Sequence, residues 1–289
     1  MRNLPADLRK KLTDTVEIAL KVLQKYLSVK CPPQPPFRVA PQCTKAAVRQ
    51  DGSLGFCVGH EPDMLGAGDK ARASRTCGLA SINASHIAPY KDCAMPDGQA
   101  CKRFRTQQDD SCSTLGIGAW ALPCLMDLKT HRPVMGTINI CPSDIPKDWT
   151  VDTVVHELLH ALGFASSLHG WFYDGSGKAL PKAQVVREVK DARGRPADVI
   201  ITPNVVREAR AQSGCPTMPG GFLESEGGRG SAGDHWEARL YQGDIMLAAK
   251  RVNSGRPDTM SRLTLAYMQD TGWYDVNYDN AGFLSWGYK

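Results

Sequence analysis

The segment Val154-Val155-His156-Glu157-Leu158-Leu159-His160-Ala161-Leu162-Gly163-Phe164 contains the pattern H-E-x-x-H inside an apolar, helix-forming run. In a helix, side chains at i and i+4 lie one turn apart on the same face. His156 and His160 can therefore reach one metal ion, with Glu157 directed at a water molecule beside it. Paired histidines on an apolar helix can also be ordinary core. Three features weigh against that here: the helical context, Gly163 placed to end the helix, and a further candidate ligand downstream. The pattern predicts a zinc hydrolase whose site helix covers 151–162, with Asp152 as N-cap and Gly163 as the C′ residue.

A catalytic zinc keeps three protein ligands and one open position, so two histidines leave one to find. The compact arrangement H-E-x-x-H-x-x-G-x-x-H would place it at position 166, which is a serine. His169, Glu188, His86, His131 and His235 remain, and spacing does not choose among them. Context favours His235. It follows the Gly-rich stretch Gly230-Ser231-Ala232-Gly233-Asp234 and precedes Asp244-Ile245-Met246-Leu247. A methionine turn beneath the metal is a hallmark of one zinc-protease class, and Met246 is its candidate here. The competing reading of Met246 is plain core filler.

The chain has 289 residues, with 42% hydrophobic and 22% charged residues and a formal net charge of +5. These values are ordinary for a globular protein. Lys and Arg are scattered, apart from clusters such as Arg9-Lys10-Lys11, which argues against a nucleic-acid face. No window approaches the roughly 18 apolar residues of a membrane span. Ten cysteines are present, nine of them between Cys31 and Cys141, with Cys215 apart. An even count at irregular spacing without C-x-x-C reads as disulfides formed in an oxidising compartment. The N-terminus lacks the apolar core of a signal peptide. A fragment or processed form of a secreted precursor reconciles the two; a cytosolic protein with reduced thiols is the alternative.

Apolar residues from Leu8 to Leu27 recur at helical spacing and predict a helix over 6–28. Residues 31–115 read as a disulfide-stapled, loop-rich region. Strands are expected at 117–122 and 134–140, a helix at 203–212 within a polar, Gly-rich stretch, and a last helix at 261–270. The expected class is α+β.

The chain resembles leishmanolysin and its invadolysin-like relatives, zinc metalloproteases of the metzincin type. The resemblance rests on Val155 to Phe164, on Gly230 to His235, and on Met246. It continues in Ala119-Trp120-Ala121 with Cys124, in Gly136 to Ile140, in Leu263 to Ala266, and in Gln269 to Tyr274. It covers roughly residues 115–286, and the region 31–115 matches weakly. In that family a long insertion separates the helix from the third histidine. The resemblance implies one catalytic zinc held by His156, His160 and His235, with Glu157 as general base and Met246 in the Met-turn. It further implies a twisted mixed sheet, with the active-site helix above a mostly irregular and helical C-terminal lobe. The lobes are expected at 1–163 and 164–289. Asp234 departs from the small residue common there and is expected to face solvent, as are His169 on a surface loop and Glu188.

The activity so implied is hydrolysis of peptide bonds in protein substrates, with the peptide extended along an edge strand at Ala119, Trp120 and Ala121. A monomer outside the cell or at its surface is expected, with no nucleic-acid partner. The family's prodomain finds no match before Met1, and its Cys-rich C-terminal region is expected beyond Lys289, where a partner for Cys215 would lie. An alternative of a different class is a catalytically silent adhesion module on the same scaffold; the intact His156, Glu157, His160 and His235 disfavour it.

Overall fold

The computed structural model describes residues 4–30, 118–127, 130–148, 150–226, 231–249 and 258–289, together with the backbone of five short strands in the cysteine-rich region. In chain order the elements are α1 (Ala6–Leu23), β1 (Leu27–Val29), β2 (Cys43–Val48), β3 (Leu54–His60), β4 (Arg75–Cys77), β5 (Ala80–Ile82), β6 (Cys101–Arg103), β7 (Ala119–Met126) and β8 (Pro133–Ile140). There follow α2 (Thr150–Leu162), a 3₁₀ turn at Ser166–Leu168, α3 (Lys182–Val185), β9 (Val186–Lys190), β10 (Pro196–Ile200), α4 (Pro203–Ser213), β11 (Gly221–Phe222), α5 (Arg262–Asp270) and β12 (Tyr274–Val276). The chain forms two compact units. One comprises Met1–Pro32, Ile117–Ala121 and Ile138–Lys289; the other comprises Pro33–Gly116 and Leu122–Thr137.

Within the first unit α2 is the central element. Val154, Val155 and Leu159 are enclosed, and Thr150, Thr153, His156, Glu157 and His160 are buried with them. Burial on several faces is what a nearly continuous apolar helix demands. α1 lies against α2 through Thr15, Ala19 and Leu23, spaced four residues apart along one stripe. Lys11 of α1 donates to the Pro146 carbonyl at 2.9 Å. β1 pairs antiparallel with β12, Leu27 opposite Val276, which joins the start of the unit to its end.

α4 and α5 pack together and are tied by buried carboxylates. Asp270 at the end of α5 accepts from the backbone N–H groups of Asn204 and Val205 at 2.9 and 3.0 Å, so it caps the N-terminus of α4. Glu208 accepts from Arg262 at 2.9 Å. An aromatic cluster gathers around Tyr267 of α5. The Phe164 and Tyr267 rings stack at 4.1 Å, and Trp236 meets Phe164 edge-on at 5.1 Å. Phe172 bridges Tyr267 and Trp273. Full burial of each such ring contributes on the order of 2–3 kcal/mol from its area alone.

The α+β class holds, and the expected strands and helices occur with shifted bounds. The described residues form five small sheets of two or three strands, in place of one twisted mixed sheet. Several ladders join strands from distant parts of the chain, as β1 with β12, and none among the described residues exceeds three strands. α1 stops at Leu23 because Leu27 is drawn into the β1–β12 ladder. α2 begins at Thr150, so Asp152 is a first-turn acid that favours the helix dipole, rather than the N-cap. The hairpin β9–β10, Val186 opposite Ile200, lies in the stretch read as irregular. The expected disulfide framework at 31–115 falls outside the described side chains. Among the described residues Cys141 is disulfide-bonded and Cys215 is a free thiol.

The end of α2 requires glycine. Gly163 N–H donates to the His160 carbonyl at 3.2 Å, and Phe164 N–H to that of Leu159 at 2.9 Å, the paired bonds of a Schellman stop. Gly163 takes φ +150°, and a Cβ there would lie 3.1 Å from the Trp273 ring. Gly163→Ala is therefore expected to destabilise the fold by about 1–3 kcal/mol, read as a lowered thermal midpoint.

Candidate metal centre

The helical spacing of His156 and His160 and the return of the chain at His235 bring three imidazoles together. Their Nε2 atoms are 3.0 Å (His156 to His160), 3.1 Å (His160 to His235) and 3.2 Å (His156 to His235) apart. All three rings are buried, at 7, 7 and 5% exposure. They are the only group of three or more potential metal-ligating side chains among the described residues.

The other ring nitrogens decide the protonation. His156 Nδ1 lies 2.6 Å from the Ile245 carbonyl, His160 Nδ1 2.6 Å from that of Phe164, and His235 Nδ1 3.0 Å from that of Ser231. A carbonyl only accepts, so each Nδ1 carries the hydrogen and each neutral ring presents an Nε2 lone pair inward. Burial, followed by the neighbouring His235, pushes His160 down to about 4, and burial also lowers His235. Three lone pairs facing one another at this range have no hydrogen to share. A cation resolves the repulsion. Tetrahedral ligation at about 2.0–2.1 Å sets nitrogens roughly 3.3 Å apart, close to the separations found. The donor set therefore fits a zinc-type ion.

Each carbonyl partner belongs to a turn that the sequence specifies. Phe164 follows the glycine stop of α2. Ile245 sits in the Asp244-Ile245-Met246 turn, in which Met246 N–H donates to Asp244 Oδ1 at 2.7 Å. Met246 is fully buried, and its carbonyl accepts from Trp236 N–H at 2.9 Å, one residue beyond His235. Asp244 is enclosed; burial raises its carboxyl to about 6 against the opposing pull of Ser261, Met246 and Thr264. Glu157 lies on α2 at 5% exposure.

The His235 segment runs beside 222–224. Leu223 and Trp236 form an antiparallel bridge, Glu224 N–H donates to the His235 carbonyl at 2.8 Å, and Gly233 N–H to that of Glu224 at 2.8 Å. Asp234 is half-buried, and its Oδ1 accepts from Ser166 N–H at 2.7 Å. This corrects the expectation that Asp234 faces solvent. It ties the third histidine's segment to the position where the compact motif would have placed its own ligand.

The other candidates separate cleanly. His169 is not on a surface loop: it is 2% exposed, with Nε2 3.1 Å from the Tyr267 hydroxyl and its ring edge-on to Phe172. It belongs to the aromatic cluster behind the site. Glu188 is exposed on β9. His131 takes φ 52° in the turn between β7 and β8, and His86 lies outside the described residues, as does Gly230. Ala119, Trp120 and Ala121 lie on β7, which pairs only with β8 among the described residues.

A buried histidine triad, two of its members one helical turn apart beside a glutamate, defines the class of H-E-x-x-H metalloproteins. The family model described as Leishmanolysin matches residues 109–289. The chain belongs to the leishmanolysin family of metallopeptidases. It is 31% identical over 299 residues to a leishmanolysin-like peptidase of Caenorhabditis elegans, covering 87% of this chain and 44% of the relative. A leishmanolysin-like peptidase of Drosophila pseudoobscura is 31% identical over 270 residues, at 76% and 39% coverage. Leishmanolysin of Leishmania major is 35% identical over 177 residues, at 60% and 27%. The chain thus spans less than half the length of these relatives.

His169 supplies a pH dependence. Burial pushes its imidazole down to about 4, from about 6.5 in an unfolded chain. The unfolded state therefore binds the extra proton first. The stabilisation is complete above about pH 6.5 and is lost as pH falls toward 4. Stability measured across that window is expected to decline more steeply in the wild type than in His169→Phe, by up to about 1.4 kcal/mol per pH unit.

Proposed function

We propose that the chain is a zinc-dependent endopeptidase that hydrolyses peptide bonds of protein substrates, with His156, His160 and His235 as the zinc ligands. The observation that carries this reading is the convergence of three Nε2 lone pairs at 3.0–3.2 Å, each fixed by a backbone carbonyl behind it. Zinc bound there would acidify a water molecule and polarise a peptide carbonyl.

The chain's own residues do the rest. The Glu157 carboxylate accepts a proton from the attacking water and returns it to the leaving amine, so no covalent enzyme intermediate is needed. Met246 lies in the Met-turn, where its peptide supports the His156 and His235 segments. An extended substrate lies along β7 at Ala119, Trp120 and Ala121, added as a further strand. The disulfide at Cys141 suits an extracellular or cell-surface setting. No helix among the described residues is long and apolar enough to cross a membrane.

Glu157→Gln is expected to keep zinc and lose at least about 10²-fold in peptidase activity, measured on a denatured protein substrate with chelator reversal of the wild type as reference. Near-wild-type turnover in that variant would end the assignment of Glu157. His235→Ala is expected to lose stoichiometric zinc by metal titration; retention would return the third ligand to another side chain.

A further inference from the structure

Asp244 is 1% exposed at the start of the turn that carries Met246. The hydrogens around it can be assigned one by one. The Trp236 indole N–H can only donate, and it reaches Thr264 Oγ1 at 2.8 Å. The Thr264 hydroxyl hydrogen is left for Asp244, whose two oxygens lie 2.8 and 3.0 Å away. Thr264 N–H donates to Ser261 Oγ at 3.2 Å, which leaves the Ser261 hydroxyl to donate to Asp244 Oδ2. Met246 N–H donates to Oδ1 at 2.7 Å. Asp244 thus receives hydrogens on both oxygens and gives none.

The Met246 N–H and the Ile245 carbonyl belong to one peptide group, which is planar and trans. Fixing its N–H fixes the direction of its carbonyl on the opposite side. That carbonyl accepts the Nδ1 hydrogen of His156 at 2.6 Å. The next carbonyl, of Met246, accepts from the backbone of Trp236, beside His235. The same carboxylate is therefore linked to the segments of two of the three histidines.

We infer that Asp244 is a positioning residue of the metal centre, orienting the His156 ring through the Ile245–Met246 peptide group. This rests on the reading of the three histidines as metal ligands. The carboxylate anchors the peptide to Ser261 and Thr264 at the start of α5, and the peptide holds the ring in the tautomer and plane that direct Nε2 inward. Removing an outer partner of a ligating histidine typically weakens metal binding 10- to 100-fold.

The test uses Asp244→Asn, which keeps the shape and turns an NH₂ donor toward existing donors. Zinc affinity is measured by competition with a chromophoric chelator, and ligand geometry by the visible absorption of the cobalt-substituted protein. Asp270→Asn is the control, because Asp270 is a buried carboxylate capping α4 outside this network. Expected results are zinc binding weakened about 10- to 100-fold with altered cobalt bands in folded Asp244→Asn, and a lowered thermal midpoint with wild-type zinc affinity in Asp270→Asn. Should Asp244→Asn not fold, Thr264→Val is expected to weaken zinc binding several-fold, and Thr264→Ser to restore it. Wild-type affinity and bands in folded Asp244→Asn overturn the inference. So does an equal loss in Asp270→Asn, or, where Asp244→Asn does not fold, wild-type affinity in Thr264→Val. A wild-type chain that takes up no zinc instead overturns the metal-centre reading itself, and this inference with it.

Discussion

Three hydrogen bonds from histidine Nδ1 to backbone carbonyls set the rest of this molecule's arrangement. Each fixes a tautomer, and together they aim three lone pairs at one point inside a buried volume. An imidazole left free to rotate or flip would present N–H as often as lone pair, and the site would then repel a cation. Side-chain acceptors would titrate or move; backbone carbonyls do neither. The site accordingly depends on the placement of three turns, at Phe164, Ile245 and Ser231, more than on the histidines alone.

Much of the surrounding structure serves to hold those turns. The glycine stop at Gly163 bends the chain so that Phe164 can offer its carbonyl to His160 and its ring to Tyr267. The stack of Phe164, Tyr267, Trp236 and Phe172 forms a rigid apolar backing in which His169 is held neutral. Asp244 binds the methionine turn to α5 through two hydroxyls whose hydrogens have no competing use. Burying that carboxylate is costly in isolation and is offset by its three donor groups.

The 75-residue separation of His160 and His235 is less demanding than it looks. Loop-closure entropy grows only logarithmically with length, and the intervening chain folds into its own hairpin and helix. What a long return loses is local specification of register. The register is recovered at the far end by the Leu223–Trp236 bridge, by Glu224 on the His235 carbonyl, and by Asp234 on Ser166 N–H.

The sequence by itself determined the local features. His156 and His160 share a face because the helix repeat puts i and i+4 together. Gly163 marks the helix end because its backbone angle is strained for any other residue, Pro203 marks a helix start because its fixed φ suits the first turn, and Ser261 marks another because its side chain caps the Thr264 N–H. Even the return of the chain at His235 was legible, through its glycines and the methionine that follows. The tertiary structure alone decided which groups those elements meet. Asp234 looked like a solvated charge until Ser166 was brought beside it, and His169 like a loop residue until the aromatic cluster closed over it. Asp152 looked like a cap until the helix was found to begin two residues before it, at Thr150. Spacing along a chain fixes what lies within a turn or two. Hydrogen-bond partners and burial depend on segments tens of residues away, and no local pattern encodes those.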